Sequence, residues 1–206
     1  MQSYIHPTAL IEEGVVIGPG TSIWDNVHIR RNSRIGNECI IGDKTHIAYD
    51  VEIGNRVKIN SFVSICAGVI IKDGVMIASG ATFTNDRYPR AATPDLSRLR
   101  PSGPDDSTLT TIVNEGATIG ANATIGCGIT IGRWAMVGMG SVVTRSVGDF
   151  HLVAGNPAHR VGYVCRCGHI LDQAESGVEI LCPSCSLPYL LEGDNVSELS
   201  PPAAAM

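Results

Sequence analysis

The sequence predicts an all-β fold, a left-handed parallel β-helix built from six-residue repeats. Isoleucine recurs at every sixth position from Ile5 to Ile77, and Phe83 takes the next position in the series. A small or β-branched residue stands four places after each of them, and glycine often stands one place after. Such a period fits neither a helix, with about 3.6 residues per turn, nor a single strand, with a period of about two. Self-similarity at a short fixed period is typical of stacked repeats.

A triangular coil explains this period. Each six-residue unit forms one face, and three such units complete a coil. The isoleucine points into the prism and the small residue fills the corner, while β-branched side chains suit such half-buried strands. Glycine is expected to relieve turns that need a positive φ. The coils then stack about 4.8 Å apart with parallel strands, whereas the loops of a β-sandwich, the alternative all-β fold, do not keep such a register.

The repeat is interrupted once. After Phe83, residues 85–112 are rich in proline and charge and have no apolar period. The period resumes at Val113 and continues to Val147, so the predicted domain spans residues 1–147 with an inserted loop at residues 85–112. A long loop inside a compact repeat is commonly functional, and rigid scaffolds commonly carry sites on their loops.

The rest of the chain divides into three predicted segments. Residues 148–163 leave the prism as a linker, through the turn sequence Gly155-Asn156-Pro157-Ala158. Residues 164–190 hold four cysteines and are predicted to form a small zinc ribbon. Residues 191–206 end in prolines and alanines and are predicted to be a disordered tail.

The four cysteines form two close pairs, Cys165-x-Cys167 and Cys182-x-x-Cys185. Two such pairs can place four thiolates around one Zn²⁺ ion with tetrahedral geometry. The segment has too few apolar residues to form a stable core without a metal ion or another cross-link, which favours this interpretation over four unligated cysteines. A closed four-sulfur site has no open coordination position, so the ion would be structural and not catalytic.

Composition excludes several classes of function. The chain has 206 residues and a formal net charge of −5, so bulk charge does not favour nucleic acid. No apolar run long enough for a membrane span and no basic start before an apolar core occurs, so we expect neither membrane insertion nor a signal peptide. Seven cysteines, four of them clustered near the end, indicate a reducing, cytoplasmic compartment.

Two further stretches point to a family. The loop opens with Phe83-Thr84-Asn85-Asp86-Arg87-Tyr88-Pro89-Arg90, and the later segment contains Gly155-Asn156-Pro157-Ala158. With the repeat, these stretches resemble the nucleotide-sugar N-acetyltransferases of the left-handed β-helix superfamily over residues 1–163. That group includes enzymes that acetylate the 3-amino group of UDP-linked or dTDP-linked amino sugars for surface polysaccharides. The resemblance implies acetyl-CoA as cosubstrate and a homotrimer with active sites between adjacent prisms.

The resemblance also implies the chemistry. A neutral amine attacks the thioester, and Asn85 accepts a hydrogen bond from this amine and holds it in line. The chain has no histidine between residues 47 and 150, so we expect the departing CoA thiolate or solvent to take the proton. Asp86 is the alternative base, although it is equally well explained as a turn acid.

The remaining site residues are assigned to the two substrates. On the nucleotide sugar, Arg31 is expected at the pyrophosphate, because a guanidinium fork suits phosphate oxygens, and the sugar pocket is assigned to Asn60, Phe83 and Tyr88. Backbone N–H groups around Cys127 and Gly128 are expected to stabilise the oxyanion. The other residues assigned to acetyl-CoA are Arg145, Asn156, Pro157 and Arg160.

Other functions stay open at the sequence level. One is a non-catalytic β-helix that serves as a binding or assembly subunit, which would not bind acetyl-CoA. Another is a zinc hydrolyase of the γ-carbonic anhydrase type, since His28 and His46 are one full coil apart and should stack on one edge. That enzyme needs a third histidine, and the sequence offers none in a suitable place. Acylation of a small alcohol is disfavoured, because a hydroxyl acceptor needs a stronger base than an amine does.

Overall fold

The computed structural model describes residues 2–101, 103, 108–171 and 176–199, and it confirms the predicted all-β parallel β-helix. Twenty short strands build the prism. They are β1 Tyr4–Ile5, β2 Leu10–Ile11, β3 Val16–Ile17, β4 Ser22–Ile23, β5 His28–Ile29, β6 Arg34–Ile35, β7 Ile40–Ile41, β8 His46–Ile47, β9 Glu52–Ile53, β10 Lys58–Ile59, β11 Ser64–Ile65, β12 Val69–Ile71, β13 Met76–Ile77, β14 Thr82–Phe83, β15 Thr111–Val113, β16 Thr118–Ile119, β17 Thr124–Ile125, β18 Thr130–Ile131, β19 Met136–Val137 and β20 Val142–Val143.

These strands form the three faces of the prism. The first sheet contains β1, β4, β7, β10, β13, β16 and β19, the second contains β2, β5, β8, β11, β14, β17 and β20, and the third contains the remaining strands from β3 to β18. Neighbouring strands are parallel, and paired residues are three repeat units apart, as in Ile5 with Ile23. No helix in the described residues has the length and apolarity that a membrane crossing requires.

The inserted loop leaves the stacking intact. Across it, Ile71 pairs with Val113 and Phe83 pairs with Ile125. Both pairs are in register, although the chain between the partners is longer than one ordinary coil by the length of the insertion. The loop is therefore an outgrowth of a single coil, and the coils on either side of it stay in contact.

The core is the column of inward residues that the sequence predicts. Residues such as Ile23, Ile41 and Ile59 are fully buried. Ile5 is 45% exposed because the first coil has a neighbour on one side only. Some corner positions carry a buried hydroxyl that forms hydrogen bonds with the backbone of neighbouring coils. Thr21, for example, donates to the Gly36 carbonyl at 2.8 Å and accepts the Cys39 amide at 3.0 Å.

The glycines that follow the isoleucines do not have the predicted role of relieving turns with a positive φ. Positive φ angles occur at other turn positions, at residues such as Gly14 (76°), Asn26 (54°) and Phe62 (61°). The glycine directly after an isoleucine instead lies where adjacent coils approach closely. A Cβ atom on Gly42 would come within 2.6 Å of the backbone carbonyl carbon of Asn60 in the next coil.

Residues 148–163 do not form the predicted linker, but extend the first sheet. Strand β21 (His151–Gly155) pairs in parallel with β19, and β22 (Ala158–Val164) returns antiparallel to β21. Val153 is only 5% exposed and continues the inward column, which explains why the chain stays on the prism.

A small module follows, and it ends later than predicted. Strand β23 (Ile170–Leu171) pairs with β22, and an antiparallel sheet contains β24 (Val178–Leu181), β25 (Pro188–Glu192) and β26 (Asn195–Glu198). The predicted tail from residue 191 is therefore wrong for residues 191–199, because Leu191 and Val196 are buried in the core of the module. The predicted tail residues 200–206 lie outside the described residues.

We predict that Gly42→Ala destabilises the prism by about 2 kcal/mol, because the added methyl group forces adjacent coils apart. Thermal unfolding followed by circular dichroism measures the change. Gly162→Ala is the matched control, since a Cβ atom there would meet no atom within 4 Å. Equal stability of the two variants would contradict the close-approach explanation.

Candidate active site

One edge of the prism carries several of the predicted site residues. In the second sheet, the residue two places after each inward residue stands at the corner towards the third sheet. The pairings of β5, β8, β11, β14, β17 and β20 put six corner residues in one column, here called the loop edge: Arg31, Tyr49, Ala67, Asn85, Cys127 and Arg145. With about 4.8 Å between coils, Asn85 lies one coil from Cys127, and Arg145 lies one coil further. Predicted nucleotide-sugar and acetyl-CoA residues thus share one edge.

The inserted loop encloses an open cavity beside this edge, here called the loop cavity. Its volume is about 530 Å³, and it is lined by Asn85, Asp86, Pro89, Arg90, Ala91, Leu99, Arg100, Pro101, Gly103 and Thr108. A smaller cavity of about 330 Å³ adjoins it and is lined by Asp86, Arg87, Tyr88, Arg100 and Leu109. Asn85 and Tyr88 therefore lie where the sequence places a substrate site, on the loop.

The loop has its own backbone structure. Ala92 and Leu99 form an antiparallel bridge, and the Arg100 amide donates to the Ala91 carbonyl at 3.0 Å. At the base, the Leu109 amide donates to the Asn85 carbonyl at 3.4 Å. These contacts fix the two arms of the loop relative to each other and to the prism.

Asp86 holds the turn at the start of the loop. Its Oδ1 atom accepts the backbone N–H of Tyr88 at 2.7 Å. This contact matches the turn-acid interpretation, since short acidic side chains commonly accept an amide two residues further on. Tyr88 itself is 77% exposed, so its ring is available to a ligand.

Two residues assigned to the sugar pocket lie elsewhere. Phe83 is 1% exposed because it takes the next inward position after the series of isoleucines from Ile5 to Ile77, here called the isoleucine ladder. Its side chain therefore packs in the core and cannot line a pocket. Asn60 directly follows Ile59 in the first sheet and therefore stands on a different edge from Asn85. Within one chain, the structure does not bring Asn60 to the loop edge.

The amide of Gly128 already has a partner. It donates to Thr111 Oγ1 at 3.0 Å, and the same hydroxyl lies 3.4 Å from the Gly126 carbonyl. An oxyanion at this position would compete with the Thr111 hydroxyl for the Gly128 N–H, so the predicted role of the backbone around Cys127 and Gly128 stays a prediction. Cys127 is also 8% exposed, so it lies in the corner and not on the outer surface.

Arg160 lies between the terminal hairpin and the small module. Its guanidinium pairs with Asp194 Oδ1 at 2.8 Å, donates to the Tyr163 hydroxyl and lies over the Tyr163 ring. These contacts stabilise the module against the prism, and the role of Arg160 at a CoA phosphate stays a prediction. Asn156 and Pro157, joined by a cis peptide bond, form the turn between β21 and β22.

A charged cluster at the N-terminal end of the loop edge was missed in the sequence. Glu12 accepts His28 Nε2 at 2.9 Å, Arg30 Nε at 3.0 Å and the Arg31 backbone N–H at 3.0 Å. The Arg31 amide, followed by His28, lowers the pKa of the Glu12 carboxyl. Both arginines lie over the Tyr49 ring, with the guanidinium carbons 4.0 and 4.8 Å from its centroid. In the sequence, the spacing of about one coil between these arginines and Tyr49 could have predicted their contact.

His28 and His46 lie on one edge, one coil apart, as predicted, and their rings meet edge to face with centroids 5.4 Å apart. Burial is the main reason that the pKa of His46 is lowered. His28 is engaged with Glu12, and in the part of the chain that the structure describes the cysteines form the only group of three or more metal-ligating side chains. The structure gives no support to a three-histidine zinc site.

The cysteine cluster is compact. The Sγ atoms of Cys165, Cys167, Cys182 and Cys185 all lie within 4.8 Å of one another. In a tetrahedral site with Zn–S bonds of about 2.3 Å the sulfurs would be about 3.8 Å apart, and the observed Cys165–Cys185 and Cys167–Cys182 distances are 3.4 and 3.5 Å. Burial raises the pKa of the Cys165 thiol to about 12, and a metal ion would have to displace its proton.

Comparison with known proteins identifies the repeat. Residues 14–49, 32–65 and 50–85 match the family model of the bacterial transferase hexapeptide (six repeats). The predicted hexapeptide repeat is therefore confirmed, and the prism is a hexapeptide-repeat β-helix.

More particular likenesses cover short stretches. The chain is 53% identical over 57 residues to dTDP-3-amino-3,6-dideoxy-alpha-D-galactopyranose 3-N-acetyltransferase from Aneurinibacillus thermoaerophilus, which is 28% of this chain and 30% of that protein. It is 45% identical over 38 residues to an acyl-[acyl-carrier-protein]–UDP-N-acetylglucosamine O-acyltransferase from Brucella ovis, which is 18% of this chain and 14% of that protein. The chain thus spans less than a third of the length of these curated relatives.

A solved structure shares the fold. A mutant of AntD, an N-acyltransferase from Bacillus cereus in complex with dTDP and coenzyme A, superposes with a TM-score of 0.52. The match covers 81% of this chain and 85% of that chain at 19% sequence identity. At this identity the likeness supports the architecture alone.

We predict that Thr111→Val destabilises the protein by about 0.5–1.5 kcal/mol, because the buried Thr111 hydroxyl no longer accepts the Gly128 amide. The midpoint of thermal unfolding reports the loss. Thr118→Val, on β16 in the first sheet and partly exposed, is the control and should change stability by about 0.5 kcal/mol or less. A Thr111→Val variant as stable as this control would show that the Gly128 amide has another partner.

Proposed function

We propose that this protein transfers the acetyl group of acetyl-CoA to the amino group of a nucleotide-linked amino sugar. The observation that carries the proposal is the position of Asn85. It follows the last strand of the isoleucine ladder, lines the loop cavity, and lies one coil from Cys127 on the loop edge. The relative from Aneurinibacillus thermoaerophilus, which is named as a dTDP-amino-sugar 3-N-acetyltransferase, supports the reaction class.

The proposed reaction is a direct attack. The lone pair of the neutral amine attacks the thioester carbon, the carbon–sulfur bond breaks, and the amine proton passes to the departing CoA thiolate or to solvent. Asn85 accepts a hydrogen bond from the amine and holds it in line, since positioning alone can supply a large part of such a rate enhancement. Backbone N–H groups around Cys127 and Gly128 are the proposed oxyanion donors, and the oxyanion would share or replace the bond from the Gly128 amide to Thr111 Oγ1.

The proposal also covers the nucleotide, the oligomeric state, the pathway and the compartment. The named relative favours a dTDP-linked 3-amino sugar over a UDP-linked one. The family resemblance supports a homotrimer and a role in surface polysaccharide synthesis, and the clustered cysteines support a cytoplasmic location.

The test is a thioester-cleavage assay with acetyl-CoA against a panel of UDP-linked and dTDP-linked amino sugars. We expect release of CoA thiol that depends on one member of the panel, together with an acetylated product in the mass spectrum. No transfer to any member, together with no binding of acetyl-CoA, would favour a non-catalytic binding or assembly subunit.

We predict that Asn85→Ala lowers kcat by roughly 10²-fold or more while acetyl-CoA binding is retained, because the variant loses the alignment of the amine. Steady-state kinetics and calorimetric titration with acetyl-CoA measure the two effects. Near wild-type turnover in this variant would remove Asn85 from the mechanism.

Asp86→Asn separates the two roles considered for Asp86. The asparagine keeps an Oδ1 acceptor for the Tyr88 amide, but it cannot take a proton. If Asp86 only holds the turn, the variant should stay within about threefold of wild-type kcat, as expected for a small energetic change. A fall as large as that of Asn85→Ala would make Asp86 the general base.

For the small module, we propose a structural Zn²⁺ ion held by Cys165, Cys167, Cys182 and Cys185. The four sulfurs already converge, and the segment wraps its core around them: Cys165 and Cys182 are buried together with Tyr189. All four protein ligands are sulfurs, so the site supplies stability and no open position for a substrate.

Metal analysis should find about one zinc per chain in the wild-type protein. Cys182→Ser should lose the zinc and lower the thermal midpoint, because a ligand at the buried core is removed. Cys66→Ser, at a partly buried position on the prism, is the control and should keep the metal. A wild-type protein without zinc, with all four thiols of the module reactive, would contradict the proposal.

A further inference from the structure

The loop cavity contains two arginines to which the sequence assigns no individual role. Arg90 and Arg100 both line it together with Asn85. Asp86 is the acidic residue among the described lining residues, and its Oδ1 atom accepts the Tyr88 amide. Among the described lining residues, Arg90 and Arg100 thus supply two guanidinium groups that can bind an anionic ligand.

The two guanidinium groups have unused hydrogen-bonding capacity. Arg90 Nη1 donates to the Pro89 carbonyl at 2.8 Å, and Arg100 Nη1 lies 3.5 Å from the Tyr88 carbonyl. Within the described residues, neither group forms an ion pair with a carboxylate. Since a guanidinium has five donors, each has further N–H groups for the oxygens of a ligand.

Backbone contacts place these arginines on facing arms of the loop. The Arg100 amide donates to the Ala91 carbonyl, next in sequence to Arg90, and the bridge between Ala92 and Leu99 closes the turn beyond them. The arms are held before a ligand arrives, which lowers the entropy lost on binding. Guanidinium forks are well suited to phosphate oxygens.

Distance decides which part of a nucleotide sugar these arginines contact. The pyrophosphate is joined directly to C1 of the sugar, so it lies within about one sugar ring of the amine that Asn85 aligns. Arg31 is three coils from Asn85 along the loop edge, roughly 14 Å at about 4.8 Å per coil. Arg90 and Arg100 share a cavity with Asn85 and fit the position of the pyrophosphate better than Arg31 does.

We infer that Arg90 and Arg100 form the pyrophosphate subsite for the nucleoside diphosphate part of the substrate. This inference rests on the proposed function for the identity of the ligand. It assigns to the inserted loop both the alignment of the amine, through Asn85, and the recognition of the diphosphate.

The test is calorimetric titration of the full chain with dTDP, UDP, thymidine, uridine and CoA. We expect the wild-type protein to bind one of the diphosphates, and Arg90→Ala and Arg100→Ala each to raise its Kd by roughly tenfold or more, since hydrogen bonds between charged groups are lost. Binding of CoA should be unchanged. Arg98→Ala is the matched control, because Arg98 is on the same loop but does not line the cavity. Thermal midpoints check that each variant is folded.

The outcomes separate this inference from the proposed function. Loss of diphosphate binding in the variants, with no acetyl transfer by the wild-type protein, leaves the subsite in place and overturns the function. Acetyl transfer by the wild-type protein, with unchanged KM for the nucleotide sugar in both variants, supports the function and overturns the subsite. A wild-type protein that binds neither diphosphate, or variants whose loss falls on CoA, would overturn the subsite.

Discussion

The structure depends on the backbone hydrogen bonds that join each coil to the next in a register of three repeat units. Because each coil contacts only its neighbours, stability is a sum of local terms along one axis, and every inward residue must keep its place. Ile23, Ile41 and Ile59 do so in one sheet and are all fully buried. The same register aligns corner residues that are distant in sequence, which is how Asn85 and Cys127 come to lie one coil apart.

This register also explains where a long loop can be inserted. The connection between Phe83 and Thr111 runs over 84–110, whereas the equivalent corner between Ile65 and Val69 runs only over 66–68. The longer connection corresponds to about three doublings of the shorter one, which cost about 2 kcal/mol of closure entropy. Burial of one inward residue such as Phe83 contributes about 1.5–3 kcal/mol, so the closure cost of the loop is comparable to the contribution of a single core residue. The prism therefore carries a loop of this size without loss of register.

The sequence was sufficient for features with a period or a fixed ligand spacing. The isoleucine ladder predicted the prism, and the two cysteine pairs predicted the cluster in which four sulfurs converge. Prediction failed where a residue's role depends on the adjacent coil. The spacing of Gly42 does not show that the backbone of Asn60 lies against it. Phe83 was assigned to the pocket because it stands next to the loop, although its place in the ladder required it to be core.

Arg160 shows the same limit at the end of the chain. Its partner Asp194 lies far along the sequence, in a segment predicted to be a tail, so no local pattern could connect them. Once residues 191–199 are part of a folded module, that module covers the end of the prism, with Phe150 and Tyr189 in one core at a ring distance of 5.4 Å. A terminal coil without such a cover would expose its apolar edge, as the first coil does at Ile5. The module thus protects the coils that lie closest to Cys127 and Arg145, and its folding and the geometry of the loop edge are expected to depend on each other.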